Sequence, residues 1–237
     1  MAEPLELRTS DGIAAVTLNR PERRNALSIE LREALTAALD EWGSDESVRA
    51  VVITGAPPVF CAGFDLEEFA RTDLAQRIKR SSGDYHRALW SFPKPTIAAV
   101  NGAAVAGGFD LTTLCDIRIA SSDASFGHPE VKLGAPPLFT PLRWLVGDGI
   151  ARDLLLTGRR IDAGEALSIG LVSRVVAPDA LLAEAAATAR QIAEAPERTL
   201  RATKAYLSAS PGKDFEESFA VEHDDVFDDF LLGGLRP

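Results

Sequence analysis

Two stretches of this chain have residue types and spacing that could do chemistry, and each follows a short apolar run. AVVIT (50–54) leads into GAPPVFCAGFDL (55–66), and TIAAV (96–100) leads into NGAAVAGGFDL (101–111). Glycine-rich exits from buried strands are where open α/β folds bind ligands. The second exit fits neither phosphate fingerprint. Gly102 and Gly107 have P-loop spacing, but Gly108 and Phe109 stand where Lys and Ser/Thr would hold phosphate and magnesium, and no Gly-x-Gly-x-x-Gly occurs. What remains is a helix opened by Gly107 and Gly108. Its first N–H groups lack internal partners, lie at the positive end of the helix dipole, and are not shielded by a side chain. Such a site suits a developing oxyanion, each good donor contributing about 3 kcal/mol to the transition state. Asp110, one turn into that helix, would stand beside anything held there. The plainer alternative is a tight strand-to-helix turn in which Asp110 stabilises the helix start.

Further polar residues are weaker signals. Glu130, in FGHPEVKLG, follows Pro129 and so falls in a first helical turn. Near a second carboxylate it could share acid and base roles, but the sequence does not decide whether Asp110 and Glu130 are close. Asp116 sits in the strand-like LCDIRIA and reads as a structural hydrogen-bonding residue. His86, His128 and His223 have no metal-ligand spacing. His128 is nearest the candidate site and could bond a carboxylate, although a satisfied structural histidine is the plainer reading. There is no Gly-x-Ser-x-Gly elbow, and Cys61 has no identifiable partner base.

The elements that must position these residues follow an α/β order. Residues 5–9 and 13–18 flank Asp11-Gly12 as a hairpin. Ser28 caps a helix over 28–42 with Leu31, Leu35 and Leu39 on one face. Strands are expected at 50–54, 96–100 and 115–120, and helices at 73–90, 107–115, 148–157, 179–195 and 197–208. An amphipathic helix with an acidic solvated face is expected over 214–230, carrying Phe215, Phe219, Val226, Phe227 and Phe230. A chain of 237 residues fits one sizeable domain with a helical appendage. A net charge of −10 argues against nucleic acid as the main partner, while leaving room for a small anionic ligand held by a few basic side chains. Cys61 and Cys115 form no Cys-x-x-Cys, no apolar run is long enough to span a membrane, and no signal peptide is visible. A cytoplasmic protein without a zinc site is therefore expected.

Four stretches together resemble the crotonase (enoyl-CoA hydratase/isomerase) superfamily: NRPERRNALS (19–28), VVITGAPPVFCAGFDL (51–66), KPTIAAVNGAAVAGGFDLTTLCDIRIASSDASFGHPEVKLG (94–134) and LTGRRIDAGEALSIGLVSRVV (156–176). They occur in the family's order and span most of residues 5–195. The resemblance implies a spiral of ββα turns over 1–195, followed by a helical trimerisation or lid segment over 196–237, and a homotrimer or dimer of trimers. It implies an acyl-coenzyme A thioester as substrate and no separate cofactor or metal. Carried onto this chain, the thioester carbonyl would lie between the N–H groups of Phe64 and Gly107. Arg23 and Arg24 match the family's basic residues near the coenzyme A phosphates. Ala26, Ala62, Asp65 and Leu66 match its coenzyme A-binding backbone.

Asp110 and Glu130 match the two glutamates that hold water in family hydratases, and two acids at these positions favour hydration of a 2-enoyl thioester. Three features depart from the family pattern. Asp110 is one methylene shorter than the usual glutamate. APPLFTPLRW (135–144) replaces a glycine-rich stretch, reshaping an acyl pocket that Phe64, Phe69, Phe109 and Phe139 would line. The acidic C-terminal stretch shows no evident basic residue to meet a neighbour's coenzyme A. Isomerisation, decarboxylation or thioester hydrolysis on the same scaffold, and a catalytically silent thioester-binding protein, are the alternatives.

Overall fold

The structure, a computed structural model, describes residues 3–209 together with residues 212 and 217. The helix expected over 214–230 lies outside the described residues except for Glu217. The chain opens with a hairpin, β1 (Leu5–Ser10) and β2 (Ile13–Leu18). Asp11 and Gly12 both take positive φ, 52° and 75°, as the two-residue turn of a right-twisted hairpin requires. Helix α1 (Ile29–Ser44) starts where expected, with the Ser28 hydroxyl accepting from Leu31 N at 3.2 Å.

From β3 (Ala50–Gly55) the chain winds as a spiral. A loop carries it to α2 (Leu66–Phe69) and α3 (Ala75–Trp90). Then β4 (Thr96–Val100), β5 (Ala103–Val105) and α4 (Gly107–Leu114) make one ββα turn. Another is made by β6 (Ile117–Ser121), β7 (Ser125–Gly127), a 3-10 turn (Pro129–Leu133) and α5 (Thr140–Thr157). Next come β8 (Arg160–Asp162), α6 (Ala163–Ser168) and β9 (Arg174–Val176), and the helices α7 (Leu181–Ala193) and α8 (Glu197–Ala209) follow. The six-stranded sheet runs β1-β2-β3-β4-β6-β9, parallel except for the opening hairpin. The short strands form a separate sheet, β5-β7-β8.

The apolar runs lack polar alternation because both faces of the large sheet are covered. Val51, Ile53, Ala98, Val100 and Ala120 face the main core with α1, α3 and α4. Their neighbours Ala50, Val52, Ile97, Ala99 and Ile119 face a second core closed by Leu181, Ala185 and Ala189 of α7.

Two expectations need correcting. The strand expected at 115–120 starts at Ile117, because Cys115 caps α4 and Asp116 is committed to Thr96. Its Oδ2 accepts from Thr96 N at 2.8 Å and Thr96 Oγ1 at 2.9 Å. The helix expected at 148–157 is the second half of α5, which begins at Thr140 and is broken at Gly147 by a φ of 78°.

Asp116 also holds α8, since Lys204 Nζ, almost fully buried, donates to its Oδ1 at 2.5 Å. Asp116→Ala should therefore destabilise the fold by about 3 kcal/mol, the cost of stranding one buried charge. Urea unfolding would measure it, and an unchanged midpoint would show that Lys204 is adequately solvated without its partner.

Candidate active site

The site is built where the exits of β3 and β4 meet. Cys61 bridges Ala104 of β5 in parallel, and Val105 N donates to Cys61 O at 3.0 Å. The loop thereby presses against the start of α4. A Cβ on Gly108 would fall 2.2 Å from Cys61 O, and one on Gly107 would fall 2.8 Å from the Phe64 ring. Contact, not φ, thus demands glycine at 108, where the obstacle is backbone, while a side chain at 107 would have to displace the Phe64 ring.

A third segment clamps the loop from outside. Asn25, fully buried with a φ of 55°, donates through Nδ2 to Ala56 O at 2.8 Å and Val59 O at 2.9 Å. Arg20 bonds both Ala26 O at 2.8 Å and the Asp65 carboxylate at 3.0 Å. Leu27 N donates to Gly63 O, and Ala62 N donates to Arg24 O. Residues 20–28 and 61–66 are thus one surface.

Phe64 and Gly107 are brought together, as the oxyanion reading requires. Among the described residues neither N–H donates to a protein acceptor. Gly107 N is the first donor of α4, whose eight residues are all buried, so the dipole at its start is poorly screened by water. Ala106, just before it, holds a φ of 51° and ψ of −131°, a conformation costly for any residue with a Cβ. Its carbonyl accepts from both Phe109 N and Asp110 N. Phe64 is braced from behind by Arg32, a fully buried guanidinium 4.7 Å from its ring centroid. Arg32 donates to Leu27 O and to Ser81 Oγ.

The two candidate acids also meet, and a histidine joins them. His128 is fully buried, with Nδ1 2.8 Å from Glu130 Oε1 and Nε2 3.5 Å from Asp110 Oδ1. Asp110 projects from the first turn of α4 and Glu130 from the 3-10 turn after Pro129. Burial pushes the Asp110 carboxyl up to about 7, with His128 opposing and the Glu130 charge reinforcing the rise. The three residues offer ligand atoms within 4.8 Å of one another, so a divalent ion is geometrically conceivable. The Nδ1–Oε1 contact, however, has the length of a hydrogen bond within the cluster.

The remaining expected site residues are dispersed around this centre. Ala26 and Asp65 are buried in the clamp, Ala62 is half-buried, and Leu66 is exposed. Arg23 and Arg24 are exposed on the same rim, Arg23 paired with Glu67. Phe69 meets Phe64 edge-on at 5.4 Å. Phe109 is a correction: it is fully buried, packed on Phe126 and 4.7 Å from the His128 ring, and so supports the cluster from the core and exposes no wall to a ligand. Phe139 lies at the head of α5 beneath Arg143 and Arg152. Sequence reasoning misses Asn25 and Arg32 and reads His128 first as a structural histidine. The one available signal for Arg32 was a cation inside the apolar stripe of α1.

The raised Asp110 value has a stability consequence. Its folded-state value lies above the ordinary 3.8, so ionising it costs stability. That cost is absent below 3.8, grows with pH, and is complete above about 7. Asp110→Asn should therefore match the unsubstituted protein in acid and become progressively more stable than it towards neutral pH. Thermal unfolding across that range would measure it, and a constant offset would contradict the burial argument.

Known proteins resemble this chain in sequence and in fold. The family model described as enoyl-CoA hydratase/isomerase matches residues 8–230. A putative enoyl-CoA hydratase of Thermus thermophilus is 45% identical over 217 residues, covering 88% of this chain and 85% of that protein. An (E)-benzylidenesuccinyl-CoA hydratase of Thauera aromatica is 38% identical, covering 98% and 91%. The crystal structure of an enoyl-CoA hydratase from Bacillus anthracis superposes with a TM-score of 0.92 at 31% identity, covering 97% of this chain and 91% of that one. With matches of this extent in sequence and in the spiral of ββα turns, the chain belongs to the enoyl-CoA hydratase/isomerase family.

Proposed function

We propose that this protein adds water across the 2,3 double bond of a 2-enoyl-coenzyme A thioester. The observation that carries the reading is the meeting of Asp110 and Glu130 across His128, one turn from the uncommitted Gly107 N–H. Water addition places hydroxyl on C3 and hydrogen on C2. One group must take a proton from water and another must supply one, which two acids of different protonation can do. As the C3–O bond forms, electron density moves to the thioester oxygen, where the Phe64 and Gly107 N–H groups would hold it. The reaction is redox-neutral and uses only proton transfers, so the proposal includes neither a redox cofactor nor a metal.

Coenzyme A would lie along the joined surface of residues 20–28 and 61–66. Arg23 and Arg24 would meet its phosphates, and the backbone around Ala26, Ala62, Asp65 and Leu66 its adenine end. The acyl group would pass Phe64 towards Phe69, beyond which lies a cavity of ≈ 580 Å³ lined also by Ala75, Ile78 and Ser82. The hydratases among the relatives support the hydration reading. The wider reading is a cytoplasmic homotrimer or dimer of trimers in fatty acid metabolism, with residues 196–237 serving assembly or covering the site. Among the described residues no helix is long and apolar enough to cross a membrane.

Mass spectrometry of a panel of enoyl-coenzyme A thioesters in heavy water tests the reaction. Gain of one water with deuterium at C2 is expected. A shifted double bond or exchange without water gain would replace hydration by another enolate reaction, and inert thioesters that still bind would indicate a silent binder. Glu130→Gln and Asp110→Asn should each lower turnover by roughly 10²–10⁴ while thioester binding persists. Full turnover in either variant would remove that acid from the mechanism.

A further inference from the structure

One buried cation holds Phe64 at two points. Arg32, on α1, is fully buried, and its guanidinium lies 4.7 Å from the Phe64 ring centroid. Its Nη1 donates to Leu27 O. Leu27 is bridged to Phe64 in parallel, and its N–H donates to Gly63 O at 2.8 Å. Gly63 O and the Phe64 N–H are the two ends of one planar peptide group, so fixing the first fixes the direction of the second. The same guanidinium thus grips the residue that orients this peptide and supports the side chain that follows it.

Arg32 is itself held in place from a second helix. Ser81 Oγ, buried on α3, accepts from Nε at 3.2 Å and from Nη2 at 2.8 Å, and donates to Ile78 O at 3.3 Å. Among the described residues Arg32 forms no ion pair, and the Glu68 carboxylate is committed to Ile29 N at 2.8 Å. A buried cation without a counter-charge is a costly way to fill a core position. The rest of this stripe of α1 is met by Leu31, Leu35 and Leu39, and packing alone calls for another apolar side chain at 32. What the guanidinium supplies beyond volume is the hold on Leu27 O and the face under Phe64.

We propose that Arg32 is a positioning residue for the reaction, keeping the Phe64 N–H aimed at the thioester oxygen through its grip on Leu27 and its contact with the Phe64 ring. On the opposite side the ring is packed against Gly107, where a Cβ would fall 2.8 Å from it. Phe64 is therefore confined between the guanidinium and the start of α4, and the two N–H groups stay side by side. The inference deepens the hydratase reading and rests on its placing of the thioester carbonyl between Phe64 and Gly107.

The test uses the full-length protein and butyryl-coenzyme A labelled with ¹³C at the carbonyl, a saturated thioester that cannot be hydrated. Difference infrared spectroscopy at saturation reads the carbonyl stretch, which falls as hydrogen bonds polarise the group. The stretch should fall on binding to the unsubstituted protein. In Arg32→Met, which keeps an unbranched side chain without the donors or the charge, most of that fall should be lost while the Kd for the thioester is little changed. With a four-carbon 2-enoyl thioester, the kcat of this variant should drop roughly 10- to 100-fold, the scale of a small misplacement of a reacting partner, with KM little changed. Ser81→Ala, which frees Nε and Nη2, should move both readouts in the same direction by less.

A folded Arg32→Met that keeps the full infrared shift and the original kcat overturns the proposal. So does one that loses thermal stability and kcat together while the shift stays. Where Arg32→Met does not fold, Ser81→Ala decides, and an unchanged shift and kcat in that variant overturn the proposal. If the unsubstituted protein polarises the carbonyl but hydrates no enoyl thioester, the hydratase reading fails while the infrared result still decides the role of Arg32. A bound thioester that is not polarised by the unsubstituted protein overturns the proposal itself.

Discussion

The structure depends on one close approach: the loop leaving β3 lies against the first turn of α4 with no room for a side chain between them. Cys61 O sits where a Cβ of residue 108 would be, and the Phe64 ring sits where a Cβ of residue 107 would be. That contact exists because β3 and β4 are parallel neighbours, with Ile53 opposite Ala98, and so release their loops at the same edge of the sheet. It sets two backbone N–H groups side by side and aims the first turn of α4, with Asp110, at the 3-10 turn that carries Glu130. The clamp formed by Arg20, Asn25 and Leu27 keeps the loop in place from the other side. The strained Ala106 is tolerated because its N–H and carbonyl are both fully committed, to Gly127 O on one side and to Phe109 and Asp110 N–H on the other.

Much of this was legible in the sequence because it rests on local signals. Asp11-Gly12 announces the hairpin, Ser28 the start of α1, and AVVIT and TIAAV the doubly covered strands. The paired glycines Gly107 and Gly108 mark the start of α4 by their position after the strand TIAAV alone. What was not legible depends on distance along the chain. Strands β5, β7 and β8 have three residues each, too few to show a period. Phe109 was assigned to a pocket because its type says only that it is apolar. Every residue of α4 is buried, so the helix has no polar face from which to tell core from ligand. His128 looked structural because its two partners come from different elements, and only the fold brings α4 to it. Arg32 belongs to the same class: Ser81, which accepts from it, lies on α3 and cannot be inferred from α1.

The buried charges show how such a site stays compatible with a stable fold. A guanidinium, an imidazole and two carboxylates all lie close to the Phe64–Gly107 contact, where isolating any one of them from water would be costly. Each is compensated differently. Arg32 satisfies its donors on a carbonyl and a hydroxyl and rests its flat face on Phe64, so its charge needs no carboxylate at hand. Burial raises the Asp110 carboxyl so that it gives up its proton less readily, and Glu130 retains contact with His128 and slight access to the surface. Asp110 is thus the drier end of the cluster and Glu130 the more exposed one. With the His128 ring between the two acids and burial raising the Asp110 value, two carboxylates occupy one buried cluster without both having to be charged.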